Sequence, residues 1–263
     1  MDATTPVLIG GLLLMGFVSE VIWASLRLGA MLMVAPIVGT RALPGRIRLI
    51  VALSLSCVVA PLIESPPLTQ FDGRTIVAII TEMAIGMSMG FTLRVAFEAA
   101  ALAGELVAQG MALSFAQLAD PLRGGATSGV VGMWFYIGFA LLFLAFDGHL
   151  AMLRMIIDSY NLVPIGGSVP DPVKMVSGAP RFLAIALITG VQIALPLMMA
   201  MVVVNLAFGV LGRAAPALNP IAVGLPAALT VGMLLMAVLV TELTEPARLL
   251  FDQAFNAAAS LLE

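Results

Sequence analysis

The sequence predicts an all-α, membrane-associated protein of about six apolar segments, some of them broken, arranged as helical hairpins. Three features predict it. Of 263 residues, 61% are hydrophobic and 10% are charged, and the mean hydropathy is +1.12. Charge-free runs of 31, 28 and 23 residues lie at 182–212, 214–241 and 124–146, each beyond the roughly 18 residues that mark a transmembrane helix candidate. These runs are rich in Ala, Leu and Met and far longer than strands, so they read as helices. A water-soluble fold of this length cannot bury so much apolar surface, and a disordered chain requires the opposite composition.

The first segment covers residues 7–38. It has no Lys or Arg before Arg27, so no cleavable signal peptide is expected, since that signal starts with positive charge. The second segment, 47–63, carries the one cysteine, Cys57. It has no partner for an internal disulfide and is expected as a packed thiol. Arg41, Arg46 and Arg48 cluster between these segments, which assigns that loop to the cytoplasm by the positive-inside rule. Six alternating spans then leave both termini outside.

The third segment, 76–106, contains Glu82, Arg94, Glu98 and Glu105. Four centred charges cost about 10–14 kcal/mol on the insertion scale. The eleven Leu, Ile, Val and Phe residues of the segment return only about 3–7 kcal/mol on that scale. The helix therefore needs protein around it. At 100° per residue, Arg94, Glu98, Glu105 and Gln109 share one face within about 60°. That polar seam closes the chain's own bundle, meets other subunits or borders an aqueous passage. Small residues recur every fourth position at Gly86 and Gly90, and at Ala96, Ala100 and Gly104, a spacing that lets helices approach closely.

The fourth segment, 124–146, ends at Asp147-Gly148-His149. Asp-Gly is turn chemistry, and the Asp147 carboxylate is expected to cap the following helix, with His149 structural rather than a proton relay. The fifth segment, 182–212, is about 46 Å long if fully helical, against a hydrocarbon core of about 30 Å. Pro196 lies in its middle, where a kink or break is expected. Asn219-Pro220 and Pro226 interrupt the first turns of the sixth segment, 214–241, with Pro220 a second expected kink. Broken helices at membrane depth survive only where protein or a water-filled cavity covers the freed backbone.

Little enzymatic chemistry is legible. The net charge is −3, which offers no field for nucleic acid. One histidine and one cysteine cannot build a Cys/His metal site, and there is no phosphate-binding glycine loop. Gly86-Met87-Ser88-Met89-Gly90 matches G-x-S-x-G, but that motif needs a strand–turn–helix elbow. Here the serine sits in a helical pattern, so the glycines read as packing faces. No cofactor is expected. Intramembrane carboxylates and broken helices also fit a secondary transporter, a reading weakened by the lack of a visible repeat between the halves.

Several blocks resemble the export-gate family of type III secretion systems, which includes FliR, SpaR and SctT. They are Arg27-Leu28, Ala35-Pro36-Ile37 and Leu43 through Arg48; Glu82, Gly86 and Gly90-Phe91 through Ala103-Gly104-Glu105; Leu113-Ser114-Phe115-Ala116 with Asp120-Pro121; Phe146 through Leu150 with Pro164 through Gly167; and Leu195-Pro196, Asn205 through Ala207, Gly209 through Arg213, Ala215-Pro216, Gly224 through Pro226, and Gly232. The resemblance implies a non-enzymatic subunit of a protein-conducting channel in the bacterial inner membrane, at the flagellar basal body. FliP-like and FliQ-like subunits would be its partners, with FlhB-like and FlhA-like components nearby and unfolded flagellar subunits as cargo. It implies a FliP-like portion over about 1–180 joined to a FliQ-like hairpin over about 181–263. It further implies that residues 109–121 plug the closed channel, involving Gln109, Gly110, Met111, Leu113, Ser114, Phe115, Asp120 and Pro121, with Leu113 and Phe115 as apolar stoppers. The family tends to read Gln-Met-Gly before Leu-Ser-Phe, where this chain has Gly110-Met111-Ala112 with Gln109 one step earlier.

Overall fold

The computed structural model of the chain describes residues 4–40, 43–66, 72–111, 129–167, 171–215 and 220–262. Among the described residues the regular structure is helical, with no strand. The helices are α1 (Thr4–Val34), α2 (Gly45–Val59), α3 (Gly73–Gly110), α4 (Val130–Ala145), α5 (Gly148–Leu162), α6 (Pro172–Ala214), α7 (Pro220–Leu239) and α8 (Thr244–Ser260). Short 3-10 turns at Ala60–Leu62 and Thr241–Leu243 follow α2 and α7. Among the described residues, four stretches are long and apolar enough to cross a membrane: Leu13–Val34, Gly45–Leu62, Gly73–Gly110 and Pro180–Ala214. Two more qualify only as bent helix pairs, Val130–Ala145 with Gly148–Leu162 and Pro226–Val238 with Thr241–Ser260. The predicted apolar segments and the observed helices thus correspond.

Local chemistry explains several boundaries and corrects others. The Thr75 N–H and hydroxyl both donate to Asp72 Oδ1, each at 2.9 Å, and cap the start of α3. Helix α6 runs unbroken for 43 residues through Pro196, so the expected break is not there. Buried Ile193, Ala194, Leu197 and Met201 hold the helix on either side of the ring, and packing of this kind compensates one lost backbone bond. Pro220 is the first described residue of α7; residues 216–219 before it lie outside the described residues, and with them the second expected kink. Asp147 occupies the N-cap position of α5, but its backbone is left-handed (φ 56°) and its side chain makes no capping bond. Its carbonyl instead accepts from Leu150 and Ala151 N–H at 2.9 and 3.0 Å. Cys57 is exposed, not packed, because α2 buries only Ala52, Ser56 and Val59.

The chain forms two compact units. One comprises Met1–Val95, Asp147–Leu183 and Asp252–Glu263. Its core is Trp23, Leu28 and Met31 of α1, Ile85, Met89 and Leu93 of α3, and Met152, Ile156 and Tyr160 of α5. Helices α1 and α3 touch through backbone. A Cβ at Gly86 would fall into the Arg27 carbonyl, and one at Gly90 would lie 2.5 Å from the Met31 oxygen. The G-x-S-x-G glycines are therefore packing faces, and Ser88 Oγ donates to the Ile85 carbonyl at 2.9 Å within the helix.

The other unit comprises Ala96–Phe146 and Ala184–Phe251. Phe97 is fully buried, with ring centroids of Tyr136, Phe143 and Phe251 at 5.5, 5.4 and 5.6 Å. Such pairs contribute about 0.5–1.5 kcal/mol each beyond area burial. Gly104 packs on the backbone of Val131 and Gly132, and Gly190 on the Ala99 carbonyl, so the small-residue spacing again marks close helix contact.

Candidate functional site

Among the described residues, each unit contains a polar constellation that ties together segments distant in the sequence. In the first unit, α1 presents Arg27 and α3 presents Glu82, with 0% and 1% of their side chains exposed. The pair is bidentate: Arg27 Nε donates to Glu82 Oε2 at 2.7 Å and Nη2 to Oε1 at 2.9 Å. Arg27 Nη1 also donates to Ser159 Oγ at 3.0 Å, and Nη2 to the Val163 carbonyl at 2.8 Å. The Tyr160 ring lies 4.1 Å below the guanidinium carbon, and its hydroxyl donates to the Ala24 carbonyl at 3.2 Å. One guanidinium therefore ties α1, α3, α5 and the segment after α5 together. A cleft of about 370 Å³, lined by Arg74, Val77, Thr81, Val163, Pro164 and Gly166, reaches the Glu82 side chain.

For one of the third segment's charges, the protein that the helix needs around it comes from the chain itself. Glu82 is satisfied inside its own chain. Its partner lies 55 residues away, and the sequence signal was only one arginine in the first segment and one of three carboxylates in the third. Ser159 and Tyr160 were missed because Arg154 and Asp158 interrupt the run that forms α5. That helix nonetheless buries Met152, Ile156, Ser159 and Tyr160 along one face.

In the second unit, side chains hold the backbone on either side of residues 112–128. The Gly129 N–H donates to Glu105 Oε1. Asn205 Nδ2 of α6 donates to the Gly110 carbonyl at 3.0 Å. The buried Met111 side chain lies against Gly232 of α7, and Gly110 faces Met201. Glu105 is half-buried in this contact, whereas Arg94, Glu98 and Gln109 are exposed on α3. Leu113, Ser114, Phe115, Asp120 and Pro121 lie outside the described residues. His149 is exposed near the start of α5. The family resemblance includes Asn205 but implies no role for it. An amide in a 31-residue charge-free run was the available signal, because such a group needs a partner inside apolar surroundings.

The protein family described as Bacterial export proteins, family 1 matches residues 18–254. The flagellar biosynthetic protein FliR of Pectobacterium carotovorum subsp. carotovorum is 33% identical over 95% of this chain and 95% of its own length. The protein of the same name from Escherichia coli strain K12 is 32% identical over 91% of each, and that of Bacillus subtilis strain 168 is 24% identical over 90% and 92%. The match spans Arg27, Glu82, Glu105, Ser159 and Asn205, so both constellations fall within it, and the chain belongs to family 1 of the bacterial export proteins.

Proposed function

We propose that this chain is a structural, channel-forming subunit of the flagellar type III protein export gate in the bacterial inner membrane. It works without catalysis, conducting unfolded flagellar subunits as part of an assembly with FliP-like and FliQ-like chains, beside FlhB-like and FlhA-like components. Its first 180 or so residues are the FliP-like portion and the remainder the FliQ-like hairpin. Membership of the flagellar export apparatus rests on the family and its relatives. The observation that carries the finer reading is the stripe of Arg94, Glu98 and Gln109, exposed on a helix long and apolar enough to cross a bilayer. Charged groups in that position are held by protein or water rather than lipid, which suits the wall of a multi-subunit passage.

The closing element of the gate is residues 109–121. Asn205 and Glu105 act as its anchor posts, because they hold Gly110 and Gly129 on either side. Apolar stoppers at Leu113 and Phe115 exclude water and ions yet present no charge to a passing chain. Two measurements test this. Co-expressed with FliP-like and FliQ-like chains, the tagged protein is expected to be recovered in mild detergent as a mixed complex. Recovery as a monomer or homo-oligomer, as for a transporter, refutes the gate assignment. Leu113→Ala with Phe115→Ala is expected to raise the ion permeability of resting cells, and unchanged permeability with the complex assembled refutes the plug.

A further inference from the structure

We propose that the start of α2, with residues 35–40 that Arg48 pins to it, is a binding surface for the headgroup phosphate of anionic phospholipids. Between Glu20 and Glu64 the chain has no acidic residue and four arginines. Arg27 is neutralised by Glu82, which leaves Arg46 and Arg48 as a positive cluster with no carboxylate at ion-pair distance among the described residues; Arg41 lies outside the described residues. The cluster closes a hairpin whose two arms are both apolar enough to cross a bilayer.

Residues 35–40 are built rather than slack. Ile37 has φ 66°, a conformation that a β-branched residue adopts only when its surroundings enforce it. The Gly39 N–H donates to the Ala35 carbonyl at 2.9 Å, and a Cβ at Gly39 would sit 2.5 Å from that same oxygen. Thr40 Oγ1 donates to the Ile37 carbonyl at 2.8 Å. Arg48 reaches back from α2, and its Nη2 donates to the carbonyls of Thr40 and Leu43. Arg48 thus brings its charge to the turn while pinning it, and Arg46 is exposed beside it.

The neighbours of Arg46 select lipid over an acidic protein. Ile47, Leu49 and Ile50 are 45%, 54% and 63% exposed. A guanidinium next to a band of exposed aliphatic side chains matches the boundary between phosphate and acyl chain. The export-gate reading plays no part in this inference.

Native mass spectrometry of the full chain tests it, after purification in mild detergent with equal amounts of dioleoyl phosphatidylglycerol and dioleoyl phosphatidylcholine. The anionic lipid is expected to be retained in preference. Arg46→Gln is expected to lower that preference about fivefold, the effect of one basic side chain at an anionic surface. Arg46→Lys is expected to keep it, and added salt to weaken it. Equal retention of the two lipids by the unaltered chain overturns the proposal without recourse to any variant. A preference unmoved by Arg46→Gln also overturns it. So does displacement of the lipid by inorganic phosphate, which marks a free-anion site, or by poly-glutamate, which marks a surface for acidic protein.

Discussion

Replacing Glu82 by Leu removes the counter-charge of Arg27 and leaves its acceptors at Ser159 and Val163. The guanidinium stays fully buried, with two charge-assisted bonds lost from one face. Breaking one side of a buried ion pair costs about 3–5 kcal/mol, because the remaining charge is desolvated without compensation. Two lost charge-assisted hydrogen bonds at about 1.5–3 kcal/mol each give about 3–6 kcal/mol, which overlaps that range. Arg27→Met together with Glu82→Leu removes both charges. Ser159 Oγ keeps its bond to the Ile156 carbonyl at 2.6 Å, so the Val163 carbonyl is the principal group left without its partner, at about 1–3 kcal/mol. The double variant is therefore expected to be more stable than Glu82→Leu alone, with a coupling energy of at least about 3 kcal/mol in the cycle. Unfolding by sodium dodecyl sulfate in mixed micelles measures this, followed by far-ultraviolet circular dichroism and by fluorescence of Trp23, which is 2% exposed in the same unit. A cost below about 1 kcal/mol for Glu82→Leu, or a double variant as unstable as the two singles summed, refutes the reasoning.

Gly86→Ala is expected to abolish recovery of folded protein, since its Cβ meets the Arg27 carbonyl, whereas Gly16→Ala meets nothing and is expected to stabilise α1 by about 0.5–1 kcal/mol; the same detergent titration reads both. Glu105→Leu removes the acceptor of the Gly129 N–H and is expected to speed exchange of that amide at least about tenfold, as loss of a bond to a charged group implies. Unchanged exchange refutes the contact. The Thr75 N–H, then the Thr75 hydroxyl, holds the Asp72 carboxyl below its ordinary value. The cap is then fully formed above the usual carboxylate range and is lost as pH falls through the lowered value. Protection at the first turn of α3, measured relative to the intrinsic exchange rate at each pH, is expected to fall in acid, and Asp72→Ala is expected to erase that pH dependence.

The apolar segments were legible because hydropathy and helical period are local properties, readable residue by residue. The glycine faces at Gly86, Gly90 and Gly104 were legible for a similar reason: a four-residue spacing of small side chains has few uses other than close packing. Two helices escaped. Arg154 and Asp158 break the apolar run of α5, and α8 carries Glu245, Arg248 and Asp252 on its exposed side, so neither passes a test based on freedom from charge. Both are amphipathic, and an amphipathic helix shows itself by periodicity rather than by average hydropathy. At Pro196, where a kink or break is expected, α6 continues without a break. A proline lowers local helix propensity, but the buried side chains around it in α6 decide the outcome.

The sequence by itself determined that this is a helical membrane protein of the bacterial export kind, with its charges confined to a few positions in apolar helices. Only the tertiary structure decided which of those charges meet. Arg27 and Glu82 are 55 residues apart and neutralise each other. Arg94 and Glu98, on the same helix as Glu82, face outward. Asn205 reaches a backbone carbonyl 95 residues away. The physical reason is that burying a polar group is governed by the partner folding delivers to it, and nothing in the local sequence encodes that partner's identity.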